Sequence, residues 1–306
     1  MTGTRHRILD GDTPGMEHCH GMVNINGPSV IRRPDWVDLP GRYLLYFAHH
    51  CGSHIRLAHA DHLAGPWTLH EGGVLHIDDT PAAGPIPHVA SPDVHEVDGR
   101  LRMYFHCLFD DDANTGQPFW GNARGYLQGT LIAESTDGVR FTLRDDTVIT
   151  SPYLRMIRRP DAWYGISMQD WLWRSPDGLT GWEHRRVLSD DIARHVGLDL
   201  VLGGGVGDRL DVYFTSFVDP PERIKRRSIE LTDDWTTWTP GQVEEVLRPV
   251  EAWEGADLEV TDSFPGPTPE PQHALRDPFV FRDDDGSAHL FYAAAGEFAM
   301  GVTALS

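Results

Sequence analysis

One short unit recurs along this chain and fixes what it can become. The stretch Ser91-Pro-Asp-Val-His-Glu-Val-Asp-Gly-Arg-Leu-Arg-Met-Tyr-Phe-His106 reads as a strand, a tight turn at Asp98-Gly99 and a second strand from Leu101 to His106. Asp-Gly flanked by alternating apolar residues is the strongest short-range hairpin signal. Four more copies begin at Pro28, Pro152, Val196 and Asp277-Pro278, and their second strands run Arg42–Phe47, Ala162–Ser167, Arg209–Phe214 and Ala288–Tyr292.

Around each hairpin the pattern predicts two more strands. Ile55–Ala60 and Thr68–His70 follow the first, Gly129–Ser135 and Arg140–Leu143 the second, and Asp170–Arg174 and Trp182–Val187 the third. Ile224–Leu231 and the Asp233–Trp238 segment follow the fourth. Five repeats of four antiparallel strands describe an all-β, five-bladed β-propeller, and residues 1–306 are read as one such domain. The fifth repeat supplies only three strands, so Thr4–Leu9 is expected to lend the fourth and close the ring. Insertions at Leu108–Leu127, Ser189–His195 and Pro249–Ala274 are read as loops over one face.

A formal charge of −20 disfavours nucleic-acid or anionic-membrane partners, which need a basic surface. Three widely spaced cysteines, Cys19, Cys51 and Cys107, suggest neither a disulfide framework nor a CxxC metal site. With no long apolar segment and no signal-like N-terminus, the expected location is cytoplasmic. Seventeen histidines, many near hairpin starts, and ten tryptophans stand out.

Arg276-Asp277-Pro278, Ala90-Ser-Pro-Asp-Val94, Ala58-His-Ala-Asp-His-Leu-Ala-Gly-Pro-Trp67 and the aromatic ends of the second strands together resemble the five-bladed glycoside hydrolases. The closest resemblance is to glycoside hydrolase family 43 and its relatives acting on fructans and neoagaro-oligosaccharides. It implies a small carbohydrate or glycoside substrate and three carboxylates at the starts of blades one, three and four. The matching positions here are Gly27, Ser151 and the Arg194-His195 pair, so the chain diverges at all three. The resemblance also implies a structural calcium in the channel, ahead of a transition metal; no cofactor is otherwise called for.

In a propeller the innermost strands line a central channel, and the residues at their starts crowd one mouth. Asp93 and Asp277 are the candidate catalytic carboxylates, facing each other across the channel. His195, with an ordinary pKa near ~6.5, is the candidate acid or base. Asn26, His88, His95, Arg194 and Arg276 are candidate substrate contacts, with Glu254 and Glu297 as further acids. For Asp93 and Asp277 the competing reading is a staple between blades, since Asp commonly bonds backbone amides at turns. Glu17-His-Cys-His20, His49-His50 and the other histidines leave a metal site open, without a tight signature. The readings are therefore a glycoside hydrolase-like enzyme, a sugar-binding propeller without catalysis, or a histidine-dependent metalloenzyme such as a lyase or isomerase. Oligomeric state has no signature in the sequence.

Overall fold

The computed structural model describes residues 2–18, 22–50, 52–83, 88–110, 120–121, 126–187, 191–203, 207–217, 219–263, 266 and 269–305. Five antiparallel sheets follow one another as the blades of a propeller. Blade 1 runs Asn26–Arg32, Tyr43–Ala48, His54–Ala60 and Thr68–Leu69 from the axis outward, and blade 2 runs Val89–Val97, Arg100–Asp110, Tyr126–Ser135 and Thr142–Leu143. Blade 3 is Arg155–Arg158, Trp163–Ser167, Trp171–Ser175 and Glu183–Arg186. Blade 4 is Ala193–Val201, Arg209–Ser216, Ile224–Glu230 and Glu244–Leu247. In blade 5, Leu275–Arg282, Ala288–Ala294 and Ala299–Leu305 are completed by the N-terminal strand Thr2–Asp10, which pairs with the last. The ring closes as the sequence predicts.

The second strands read as continuous apolar runs because each blade buries both faces. Successive strand side chains point to opposite sides. In Tyr43–Ala48, Leu44, Tyr46 and Ala48 therefore pack toward blade 2, while Tyr43, Leu45 and Phe47 pack toward blade 5. The same division recurs at every blade-to-blade contact, so the core is five wedges with no common centre.

Two sequence expectations are corrected. Asp233–Trp238 is not the outer strand of blade 4; Trp235–Thr237 forms a 3-10 turn whose N-terminal Asp234 side chain accepts from Thr236 N. Glu244–Leu247, which opens the Pro- and acid-rich stretch Glu244–Glu270 that reads as loop, takes the strand position instead. The inner strand of blade 4 begins at Ala193, which brings Arg194 and His195 into the ladder.

That shift matters because of a feature shared by four inner strands. Asn26 and Ser29 oppose Ala48 and Tyr46, so three steps on the inner strand meet two on its partner. Ala90/Asp93, Ala193/Val196 and Arg276/Phe279 show the same one-residue bulge. A bulge re-aims the side chains on it, and here the bulges sit at the strand starts around one mouth of the channel. Three are built alike, with a left-handed residue directly before proline: Gly27 at φ 60°, Ser91 at 48° and Asp277 at 48°. One layer below, Arg155 crosses the channel. Its guanidinium donates to the carbonyls of Pro92 and Val196 and lies 5.3 Å from the Phe279 ring centroid, so it reaches three other blades.

Candidate functional site

The bulges deliver a buried polar cluster to the mouth. Asp277, on the blade 5 bulge, is fully enclosed, and its Oδ1 lies 3.6 Å from His195 Nδ1 on the blade 4 bulge. Burial, and then the neighbouring charge of Glu297, push the Asp277 carboxyl up to about 7. Glu297 experiences the same burial, but His50, Arg276 and Arg194 outweigh it and hold its carboxyl well below the usual range. Two carboxyl groups in one buried site are thus driven apart: one holds its proton into the neutral range, where it is about half protonated, while the other stays ionised. His195 is kept neutral, its pKa lowered by burial and then by Arg194.

Two guanidiniums organise the remainder. Arg276 Nε donates to Glu222 Oε2 at 2.8 Å, Nη1 to Glu297 Oε1 at 3.2 Å and Nη2 to Gln272 Oε1 at 2.8 Å. Arg194 Nη1 reaches Glu222 at 3.1 Å and Ser263 Oγ at 2.7 Å, and the Ser263 hydroxyl itself donates to Glu222. On the blade 1 side, Glu297 Oε2 accepts from Asn24 Nδ2 at 2.7 Å, Asn26 Nδ2 at 3.2 Å and His50 Nδ1 at 2.7 Å. Buried charges survive only when paired in this way.

Several buried polar atoms of the cluster nevertheless have no hydrogen-bond partner among the described residues. They are Asn26 Oδ1, Glu222 Oε1, Asp277 Oδ2, His195 Nε2 and both ring nitrogens of His106. Leaving such a group unpaired costs about 1–3 kcal/mol, so their gathering at one mouth makes it the candidate site for a polar ligand.

The structure brings together most of the predicted residues: Asn26, Arg194, His195, Arg276, Asp277 and Glu297. His88 sits at the same level, its ring 6.0 Å from His50 and 5.5 Å from His106. Three are placed elsewhere. Both oxygens of Asp93 are engaged between blades 2 and 3: Oδ2 accepts from His95 Nε2 at 2.7 Å and Met156 N at 2.8 Å, and Oδ1 faces Arg155 at 3.6 Å. Asp93 follows the bulge residue Ser91 by two positions and points at the next blade, so its carboxylate is a staple. His95 goes with it, its ring 5.4 Å from that of Trp163. Glu254 closes a capping box and bonds Arg5 and the Tyr292 hydroxyl, which turns it toward the N-terminal strand of blade 5.

Sequence reasoning missed Asn24, Tyr153, Glu222, Ser263 and Gln272, and named His50 only as a possible metal ligand. Only position could have found His50, which follows directly on the second strand of blade 1 where that strand reaches the mouth. The metal expectation fits poorly. Calcium takes six to eight oxygen ligands, whereas the mouth carboxylates Glu297 and Glu222 are already engaged by Arg276, Arg194, Asn24, Asn26, His50 and Ser263. Among the described residues no three His, Cys, Asp or Glu side chains converge to hold an ion. Cys19, His20 and Cys51 lie outside the described residues.

No known protein-family profile matches the chain. It is 33% identical over 308 residues to "Uncharacterized protein R118" of Acanthamoeba polyphaga mimivirus, covering 90% of this chain and 82% of that one. Solved structures share the fold at much lower identity. The GH43_1 enzyme from Xanthomonas citri has a TM-score of 0.60 at 12% identity, covering 99% of this chain and 90% of that one. An exo-1,5-alpha-L-arabinanase from a bovine ruminal metagenomic library has a TM-score of 0.54 at 12% identity, covering 95% and 94%. An alpha-L-arabinofuranosidase from Lactobacillus brevis has a TM-score of 0.55 at 12% identity, covering 93% and 91%.

Proposed function

From the premise that this chain belongs to the same family as the mimivirus protein and carries the five-bladed propeller fold of glycoside hydrolase family 43, we propose that it is a glycoside hydrolase-like enzyme acting on a small glycan or glycoside at the channel mouth. The observation that carries the reading is the set of buried atoms without partners. Asn26 Oδ1 and Glu222 Oε1 are acceptors, and His195 Nε2 and Asp277 Oδ2 can give or take a proton. A polyhydroxyl ligand offers the matching donors. The names of the solved structures, two of which act on arabinan or arabinosides, point to the same chemistry.

In this reading Asp277, still partly protonated near neutral pH, donates its proton to the leaving glycosidic oxygen as the bond to the anomeric carbon breaks. Glu297 stays ionised, helps hold the proton on Asp277 and faces the positive charge that develops at the anomeric carbon. A water beside His195 Nε2 and Glu222 Oε1 forms the new bond to the anomeric carbon and gives its proton to the neutral His195 Nε2, and exchange with solvent then restores His195 and the proton on Asp277.

A second reading, sugar binding without turnover, is favoured by one detail. Glu297 already accepts from Asn24, Asn26, His50 and Arg276, which makes it a weak base. The test is Asp277→Asn alongside wild type on a panel of p-nitrophenyl glycosides, with sugar binding followed by chemical-shift perturbation. An enzyme loses turnover in the variant and keeps binding. Wild type that binds sugars and cleaves none is a lectin-like propeller.

A further inference from the structure

Blade 3 starts its inner strand late, at Arg155, and the residues ahead of it do something the other blades do not. Tyr153 adopts a left-handed backbone, with φ 58°. For a bulky side chain this is a true outlier, and it persists only where the surroundings over-determine it. They do here. The Ser151 carbonyl accepts from the hydroxyls of Thr130 at 2.7 Å and Thr150 at 3.0 Å, and the Pro152 carbonyl accepts from Met168 N at 3.1 Å.

The strained backbone throws the ring into the channel. There it is clamped between His106 of blade 2, at 4.3 Å between centroids and 37° between planes, and His195 of blade 4, at 4.8 Å and 46°. Among the described residues its hydroxyl makes no hydrogen bond, and the side chain is half-buried. Burial and then the neighbouring Asp277 raise the phenol's pKa, so it remains an O–H donor at neutral pH. A purely packing role is a poor account of this. Packing alone would not call for a left-handed backbone, and a hydroxyl on a half-buried ring at the mouth is open to a ligand.

We infer that Tyr153 is a positioning residue of the mouth site: its ring fixes the His195 imidazole, and its hydroxyl is presented to the bound ligand beside Asp277. The hydroxyl half rests on the sugar-site reading above; the ring half does not.

The test uses Tyr153→Phe and Tyr153→Leu in the full chain, with two readouts. One is nitrogen-15 NMR of the imidazoles across pH, which reports the His195 tautomer and titration. The other is turnover and binding of p-nitrophenyl glycosides. Tyr153→Phe is expected to leave the His195 resonances in place and to weaken glycoside binding or turnover roughly tenfold, the value of one hydrogen bond. Tyr153→Leu is expected to alter the His195 tautomer or move its titration toward the ordinary ~6.5. If Tyr153→Phe matches wild type in binding and turnover, the hydroxyl has no role. If Tyr153→Leu lowers stability while His195 stays unmoved, the ring is mere packing and the inference falls. Should wild type cleave no glycoside, the hydrolase reading fails on its own; the imidazole spectra still decide the ring, and binding of the same glycosides decides the hydroxyl.

Discussion

Replacing Asp277 by Asn should stabilise the protein, and by an amount that grows with pH. An unfolded chain releases this proton near the ordinary 3.8, whereas the folded protein holds it up to about 7. Between those values the folded state binds more protons than the unfolded one, so wild-type stability falls as pH rises through the window. Each pH unit is worth roughly 1.4 kcal/mol, which puts the full loss on the order of 4–5 kcal/mol. Asparagine mimics the neutral acid in shape and cannot ionise, so the variant escapes that loss. Glu297 works in the opposite direction, but its stabilisation is present above its ordinary range and is lost only in stronger acid, below this window. The assay is urea denaturation of both proteins at about pH 4, 5.5 and 7, where other titrations largely cancel in the difference. The advantage of Asn should be small at the lowest pH and largest at the highest. A difference that is flat, or that shrinks as pH rises, would mean Asp277 ionises normally, and it would remove the proton donor from the proposed chemistry. If the chain hydrolyses glycosides, the same group sets the alkaline limb, with turnover falling as pH rises through about 7.

Other consequences are equally open to measurement. Arg276→Met strips Glu222 and Glu297 of a shared partner and should cost roughly 3–5 kcal/mol in denaturant unfolding; a loss under about 1 kcal/mol would show that Arg194 and His50 suffice. Gly27→Ala would place a Cβ 2.9 Å from the Ser91 Cα at a left-handed position, so a loss of about 1–3 kcal/mol is expected and an unchanged melting temperature would contradict it. Deleting residues 2–10 removes the outer strand of blade 5 and the Arg5–Glu254 pair, leaving an open edge. Size-exclusion chromatography and circular dichroism should then report association or unfolding, and a folded monomer would refute ring closure as the source of stability.

The fold was legible because its determinants are local. Every second strand announces itself as an apolar run, and turns such as Asp98-Gly99 and Gly207-Asp208 mark where each hairpin reverses. The site was legible where position alone identifies the residue: Asn26, Arg194, His195, Arg276 and Asp277 all sit at inner-strand starts. It was not legible where a loop supplies the side chain. Glu222 precedes the third strand of blade 4, and nothing in its neighbours signals that it meets both Arg194 and Arg276. Asp93 misleads for a finer reason. Within one strand, a shift of two residues along keeps the face but changes the level, and the bulge at Ser91-Pro92 turns Asp93 from the mouth toward Met156 and Arg155. Glu254 misleads because an acid in a loop looks mobile, while its capping box pins it against Arg5 and Tyr292.

The bulge also accounts for where the carboxylates stand. Blades 1, 2 and 5 offer equivalent left-handed positions before proline, occupied by Gly27, Ser91 and Asp277. In the enzymes the sequence resembles, the blade 1 position carries a carboxylate. Here that position faces the Ser91 backbone so closely that even a Cβ is crowded. An ionisable group there would need space that the Ser91 backbone does not leave. Blade 5, its neighbour in the ring, leaves it: Asp277 fits the bulge with its Oδ1 3.6 Å from His195 Nδ1, and Arg276 on the preceding residue anchors Glu222 and Glu297. Gly27→Asp should accordingly fail to add a working carboxylate and should destabilise the chain at least as much as Gly27→Ala. Turnover above wild type in Gly27→Asp would show that the blade 1 position still governs the chemistry, and would displace Asp277 from its centre.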